Sequence, residues 1–398
     1  MVIDILRGQN QIGGSIIAVS TDNTKIMLDV GINLDESEKV EIPQIKGLFC
    51  DGQLYDAVII SHYHSDHIGL LNYVLRDVPI YMGKQAYEIV KASNSYIGKS
   101  IEFSHLEYGD GVSFQVGELL ITPYKCDHSA FDSYMFAISD GYKTVLYTGD
   151  FRANGRNDYE LLLSKLPKVD ALIVEGTMLS RETFQHNIYE ESLEDIAIGA
   201  IKKYNGPAFL MASAMNVDRI ITGYNVARKT GRLFLEDLYT AGIMDAIGKD
   251  VPAPGTEGVK VFMTGGDKQY ELLKKYAHCK IGKKGIAHTD FLMCIRPSMI
   301  HYLKRLNEIY PFEDGILFYS MWKGYQERED MKEFLDYMKS KGVSVHTLHT
   351  SGHADIETIN RLLDKVKPKM IVPVHTENPE WYLRYGVPVL LKDTGVVL

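Results

Sequence analysis

The sequence predicts an α/β protein in which one domain, built from both ends of the chain, encloses an inserted second one. Short β-rich runs alternate with turn signals through the first 176 residues, and helical periodicity takes over from Glu190. Short β–α–β segments then return near residue 346. At 398 residues the chain is long enough for two domains with a core each. The boundaries read as 1–176 and 346–398 for the outer domain and 177–345 for the insertion.

The strand-like runs are SIIAVS (15–20), KIMLDVG (25–31), DAVIIS (56–61), TVLYTGD (144–150) and DALIVEG (170–176). Several close on a polar residue just where the run stops, which is where α/β architectures present ligand and metal groups. Apolar positions 193, 196, 197, 200 and 201 follow helical spacing between Glu190 and Tyr204. FLMAS (209–213) reads as a strand, and DRIITGYNVARKTG (218–231) as a helix stopped by Gly231. VPAPGTEG (251–258) is a Pro/Gly loop, and 326–341 is a charged helix ending at Gly342. SVHTLHTSGHA then leads into a helix from about 355 to 366, with PKMIVPVHTE (368–377) after it.

Composition narrows the class. Apolar residues make up 45% and charged residues 24%, ordinary for a soluble globular protein. No apolar run approaches the ~18–20 residues that span a bilayer, so no membrane is expected as a partner. The N-terminus lacks the basic-then-apolar pattern of a secretory signal. Cys50, Cys126, Cys279 and Cys294 are scattered and form no C-x-x-C pair, which favours a reducing, cytoplasmic setting. The net charge of −9 speaks against bulk nucleic-acid affinity, yet it is uneven. Residues 177–345 carry 23 basic and 22 acidic side chains, leaving 43 − 23 = 20 basic and 52 − 22 = 30 acidic ones elsewhere. KKYAHCKIGKKGIAH (274–288) has five lysines and no acid, a pattern a solvated face accounts for.

The strongest local signal is SHYHSDHIGLL (61–71), an H-x-H-x-D-H run placed after the strand DAVIIS. His62, His64, Asp66 and His67 are ligand types suited to Zn²⁺, with Mn²⁺ and Fe²⁺ as alternatives. Four such residues on a strand-to-helix turn can serve two metal positions. Ser65 is the expected helix cap, and Gly69 lets the helix pack closely. A chance histidine-rich turn would not need the spacing, the buried strand and Gly69 together.

This motif resembles the signature of the metallo-β-lactamase superfamily. The resemblance implies an αββα sandwich and assigns further residues in chain order. Asp29 in MLDVG matches the aspartate that orients the ligand loop, His128 in CDHSAF a further ligand, and Asp150 in YTGDFR the bridging aspartate. No histidine ligand follows Asp150 closely; His186 lies in the polar stretch RETFQHNIYEE. The chain instead resembles the β-CASP branch of RNA- and DNA-processing nucleases, ribonuclease J among them. Glu175 in ALIVEGT, His353 in TSGHAD and His375 in VPVHTE match that branch, and 209–220 resemble the opening of its inserted α/β domain. Two departures stand out. LFYSMWKGYQ (317–326) replaces an expected glycine-rich segment, and the chain is expected to lack the C-terminal domain of longer relatives.

The resemblance implies a two-metal hydrolase with two Zn²⁺ ions. His62, His64 and His128 would hold one, Asp66, His67 and His375 the other, with Asp150 bridging. His353, oriented by Glu175, would give the leaving oxygen its proton. Ser351 and Gly352 are expected to offer a hydroxyl and backbone N–H groups to a phosphate, and Arg219 and Lys323 to meet a nucleic-acid backbone. A ribonuclease acting on single-stranded RNA is the expected function, with DNA as another substrate. A small phosphodiester or ester hydrolase on the same fold, and a silent RNA-binding scaffold, are the alternatives. A silent scaffold should have lost ligands, and all seven candidates are present.

Overall fold

The computed structural model describes residues 1–34, 40–101, 103–180, 186–265, 267–391 and 395–398, so 181–185 of RETFQHNIYEE lie outside the described residues. Strands follow the β-rich runs and, except for β2, stop short of their polar ends. From the N-terminus they are β1 (Val2–Arg7), β2 (Ile16–Ser20), β3 (Lys25–Leu28), β4 (Ala57–Ile59), β5 (Ile80–Gly83) and β6 (Leu106–Tyr108). Next come β7 (Phe114–Val116), β8 (Leu119–Cys126), β9 (Ser133–Ser139), β10 (Thr144–Tyr147) and β11 (Ala171–Val174). The middle of the chain supplies β12 (Ala208–Met211), β13 (Leu233–Asp237), β14 (Val259–Phe262), β15 (Phe291–Cys294), β16 (Gly315–Tyr319) and β17 (Val343–Thr347). The return segment adds β18 (Met370–Pro373) and β19 (Val396–Val397).

One compact unit comprises 1–91, 99–187 and 351–398. Its two sheets run β19-β1-β2-β3-β4-β5-β6 and β18-β11-β10-β9-β8-β7. Between them lies a core of alternating strand residues, including Ile17, Val19, Ile26, Leu28 and Ile59 from one sheet and Ile121, Phe136, Val145 and Ile173 from the other. The outer face of the second sheet is covered by helices Tyr159–Lys165 and Ile356–Val366, which bury Leu162, Leu163, Ile359 and Leu362 against Leu146 and Leu172. Sheets packed face to face with helices outside make this an αββα sandwich. The two ends of the chain meet in the second sheet: β11 and β18 pair in parallel, with Val174 opposite Pro373. That register sets Glu175 and His375 side by side.

The other unit comprises 92–98 and 188–350 and holds one parallel sheet of order β14-β13-β15-β12-β16-β17. The helix predicted from Glu190 runs Glu190–Ile201, and the one predicted at 218–231 runs Val217–Lys229. Helices Ile300–Asn307 and Glu329–Ser340 pack on β12, β15 and β16 through Leu303, Leu306, Phe334 and Met338. The boundaries differ from the sequence expectation. Because β17 is hydrogen-bonded to β16, the second unit extends to Thr350 instead of 345, and it begins at Ile188 instead of 177. The segment 92–98, the end of helix Lys84–Tyr96, also groups with it.

Two local expectations need correction. Ser65 is not a helix cap; it is the first residue of helix Ser65–Ile68, and His64 holds the cap position without a side-chain bond to the helix. Arg219 does not face a polyanion. It is fully buried, with Nη2 and Nε on the two oxygens of Glu190 at 2.9 and 3.2 Å and Nη1 on the Leu348 carbonyl at 2.8 Å. An Arg–carboxylate fork of this kind satisfies both buried charges and joins helix Glu190–Ile201 to helix Val217–Lys229.

In β13 the carboxyl of Glu236 is fully buried, and neither oxygen has a hydrogen-bond partner among the described residues. Burial first, and Asp237 second, push its pKa well above the ordinary 4.5. A raised folded-state pKa means the unfolded chain releases this proton at lower pH, so the site loses stability as pH climbs above about 4.5. Glu236→Gln is therefore expected to melt higher than the parent at pH 8, with the gap narrowing toward pH 5. Melting curves at the two pH values check this, and a pH-independent difference would refute it.

Candidate metal centre

The site is assembled from residues just beyond the ends of strands. After β4 the chain runs Ile60, Ser61, His62 into the short helix Ser65–Ile68. This turn is laced to the loop after β3, where Val30 N–H donates to His67 O at 2.7 Å and Ile32 N–H to Ser65 O at 3.1 Å; Ser15, just before β2, also donates its N–H to Asp66 O at 3.0 Å. The two loops approach so closely that a Cβ on Gly31 would sit 1.6 Å from Asp66 O, so only glycine fits there.

Asp29 is buried and left-handed, with φ of 56°. Its carboxylate accepts from Ser61 N–H at 2.7 Å, Ser61 Oγ at 2.6 Å, Tyr147 Oη at 2.6 Å and His67 Nδ1 at 2.7 Å. The other imidazoles are braced in the same way. His62 Nδ1 lies 3.0 Å from Ser61 Oγ, His375 Nδ1 lies 2.8 Å from Thr177 Oγ1, and His128 Nδ1 meets the Gly352 carbonyl. A ring nitrogen tied to an outer acceptor leaves the opposite one with its lone pair inward, the usual state of a metal-binding histidine.

Three groups of potential ligand atoms result, each within 4.8 Å: His62, His64 and His128; Asp66, His67, Asp150 and His375; and Asp150, Glu175, His353 and His375. Within the first, His64 Nδ1 is 3.2 Å from His62 Nε2 and 3.1 Å from His128 Nε2. Asp150 Oδ2 stands between the groups, 3.3 Å from His67 Nε2 and 3.8 Å from both His62 and His128. His375, like Asp29, is left-handed (φ 51°), fixed by its N–H on Gly8 O at 2.7 Å.

The electrostatics separate the two ligand groups. Burial lowers His62 and His128 well below the ordinary value and brings His64 down to about 4, so all three are neutral donors at pH 7. Burial also opposes charge on His67, but Asp150, Asp29 and Asp66 outweigh it and raise that histidine. Against the burial of their own carboxyls, Asp66 is held low by His67 and His375, and Asp150 by His375, His67 and His353.

These residues fit divalent ions. Asp150 Oδ1 is buried and has no hydrogen-bond partner among the described residues, an arrangement costly for a polar atom unless something else binds it. Nitrogen and carboxylate donors of this mix suit zinc.

His353 sits beside the second and third groups. Its Nδ1 is 3.2 Å from the Glu175 carboxylate and 3.6 Å from Asp150 Oδ2, with 22% of the side chain exposed. Burial pulls its pKa down, yet Glu175 and Asp150 lift it to about 9. The preceding residues also brace the site. The Ser351 hydroxyl accepts the His353 N–H at 3.1 Å, its carbonyl accepts from Arg152 Nη1 at 3.2 Å, and the Gly352 carbonyl braces His128. The Ser351 hydroxyl and the two carbonyls are thus engaged within the site itself. His186 is exposed and 3.5 Å from Glu357, outside every ligand group.

Of the other expected residues, Arg219 and Lys323 belong to the 188–350 unit; Arg219 is buried as described, and Lys323 is exposed. Sequence reading missed Ser61, Tyr147 and Thr177 as partners of Asp29 and His375. Ser61 and Thr177 do adjoin motif residues, a signal that was there to use.

Residues 42–207 match the β-lactamase superfamily domain, and 341–380 match the Zn-dependent metallo-hydrolase RNA specificity domain. The chain is 24% identical over 392 residues to a protein named ribonuclease J from Sinorhizobium meliloti, covering 91% of this chain and 67% of that one. It is 23% identical over 425 residues to transcription termination factor FttA of Methanococcus maripaludis, covering 94% and 66%. The chain thus spans about two thirds of the length of these relatives. A solved structure of a protein of unknown function from Enterococcus faecalis shares the fold, with a TM-score of 0.84, 20% identity and 100% and 99% of the two chains covered. No helix among the described residues is long and apolar enough to cross a membrane.

Thr177→Val keeps the side-chain volume but removes the hydroxyl beside His375 Nδ1. The expected result is a fold left intact, with divalent-metal affinity lowered about 10–100-fold. Zinc titration against a chromophoric chelator measures it; unchanged affinity would show that Thr177 does not brace a ligand.

Proposed function

The chain belongs to the metallo-β-lactamase superfamily, in its β-CASP, ribonuclease J-like branch, and from this we propose that it is a zinc-dependent nuclease acting on single-stranded RNA. The observation that carries the reading is His353, held by Glu175 at 3.2 Å beside two groups of metal-type ligands. Such an arrangement joins ion binding to a proton donor, as phosphodiester cleavage requires. The match to the RNA specificity domain spans both the His353 and the His375 segments, which favours RNA over DNA.

In this reading His62, His64 and His128 would hold one ion, and Asp66, His67 and His375 a second, with Asp150 shared. Ions bound there supply Lewis acidity toward a phosphoryl group. The chain's own residues do the rest. Asp29, Thr177 and the Gly352 carbonyl keep imidazole lone pairs aimed inward. Glu175 accepts the Nδ1 proton of His353 and stabilises its imidazolium, from which the leaving oxygen takes a proton. The 188–350 unit is the inserted β-CASP domain, where exposed Lys323 and the lysines of 274–288 are candidate backbone contacts. Two of those lysines are paired already, Lys274 with Glu271 and Lys275 with Asp245, which weakens the case for that stretch. All four cysteines are free thiols, which suits a cytoplasmic enzyme.

The test is incubation of purified, zinc-loaded protein with 5′-end-labelled single-stranded RNA. Cleavage is expected from the parent, and His353→Gln should lower the rate about 10²–10⁴-fold while retaining its metal content. Zinc-loaded protein that leaves RNA intact but hydrolyses bis(p-nitrophenyl) phosphate would overturn the RNA assignment. Full activity in His353→Gln would remove the proton-donor role.

A further inference from the structure

The unit formed by 92–98 and 188–350 contains a cavity of about 550 Å³ that the chemistry above does not use. Its size falls in the ~300–1,000 Å³ range of small-molecule sites. Ser93, Tyr96, Tyr239, Thr264, Arg296 and Ser298 contribute to its wall. Tyr239 lies in the first turn of the helix after β13, while Thr264 and Arg296 lie two residues beyond β14 and β15. Those strands are parallel, so these three residues share the carboxyl edge of the sheet, where open α/β sheets receive ligands.

Arg296 is the centre of the cavity's polar chemistry. Its Nη2 contacts Asp237 at 2.6 Å and Tyr96 Oη at 3.2 Å, and Nε donates to Ser298 Oγ at 3.2 Å. Nη1 makes no hydrogen bond among the described residues, so two N–H groups remain for an acceptor. The guanidinium lies 5.8 Å from the Tyr96 ring centroid and 5.2 Å from that of Tyr239, and Tyr239 Oη is 3.2 Å from Ser93 Oγ.

The charge balance limits what can bind. Asp237, 1% exposed, offsets the arginine, so the wall carries no net positive charge to hold a polyphosphate or a free phosphate tightly. What remains is an unused donor pair on Arg296 beside two aromatic rings. They suit a planar, uncharged group with a carbonyl or ring-nitrogen acceptor. We propose that this cavity is a nucleobase-binding site, separate from the metal centre, that takes a free nucleoside or an unpaired base of a nucleic-acid strand.

Equilibrium dialysis of the full chain against radiolabelled guanosine and uridine tests the proposal. Nucleosides contain no phosphodiester, so the result does not depend on the proposed nuclease activity. One nucleoside site per chain is expected, resistant to competition by ribose or inorganic phosphate. Tyr239→Ala should weaken binding about tenfold through lost stacking. Arg296→Lys keeps a cation against Asp237 while removing the planar donor, and it should weaken binding too. Ile97 also lines the cavity and is 56% exposed, so Ile97→Trp can fill the space without disturbing a core; it should likewise block the site. Asp150→Asn should leave nucleoside binding unchanged. Competition by oligouridylate, measured in the His353→Gln chain, would identify a strand as the source of the base, and its absence a free nucleoside. The proposal is overturned if neither nucleoside binds at millimolar concentration. It also falls if phosphate or ribose competes equally, or if none of the three cavity variants changes the affinity.

Discussion

The metal centre depends on the carboxylate of Asp29. A buried carboxylate is expensive unless donors surround it, and here a backbone N–H, two hydroxyls and an imidazole all point at it. Those donors come from two parts of the chain: Ser61 and His67 on the ligand turn, and Tyr147 at the end of β10. Satisfying one charge therefore fixes the ligand turn against both sheets. The strained backbone of Asp29 persists because this environment over-determines it. Gly31, two residues on, then allows the helix carrying Asp66 and His67 to lie against the same loop.

A second buried pair does similar work for the returning chain. Arg152 is fully buried, 3.0 Å from Asp127 Oδ2, and it also reaches the Ser351 carbonyl. Asp127 adjoins His128, Arg152 follows Asp150 by two residues, and Ser351 precedes His353 by two. One ion pair thus ties together three loops that each carry a site residue. The parallel pairing of β11 with β18 performs the equivalent task for Glu175 and His375. Since these contacts lie wholly within the outer unit, more than 160 residues of insertion can be accommodated between Glu175 and His353 without displacing either.

Much of this was legible because metal ligation demands particular side chains. His62, His64, Asp66, His67, His128, Asp150 and His375 each follow a strand-like run, and the structure gathers them into ligand groups. His128, Asp150, Glu175, His353 and His375 were readable only through family resemblance, because none stands in a locally distinctive pattern. The supporting contacts were harder. The brace on His128 is the carbonyl of Gly352, and every residue has a carbonyl. Arg219 looked like a phosphate contact because an arginine reads the same in sequence whether it faces solvent or Glu190.

The sequence by itself determined the chemistry available: nitrogen and carboxylate donors in H-x-H-x-D-H order, strand periods that place them at loop entrances, and an interruption between two halves of one domain. Tertiary structure decided how those groups are used. It turned Ser351 and Gly352 toward His353 and His128, buried Arg219 in an ion pair, and left Arg296 with open donors beside Tyr96 and Tyr239. The reason is physical. Periodicity and residue type are local properties, whereas hydrogen-bond partnership and desolvation depend on atoms brought together from positions hundreds of residues apart.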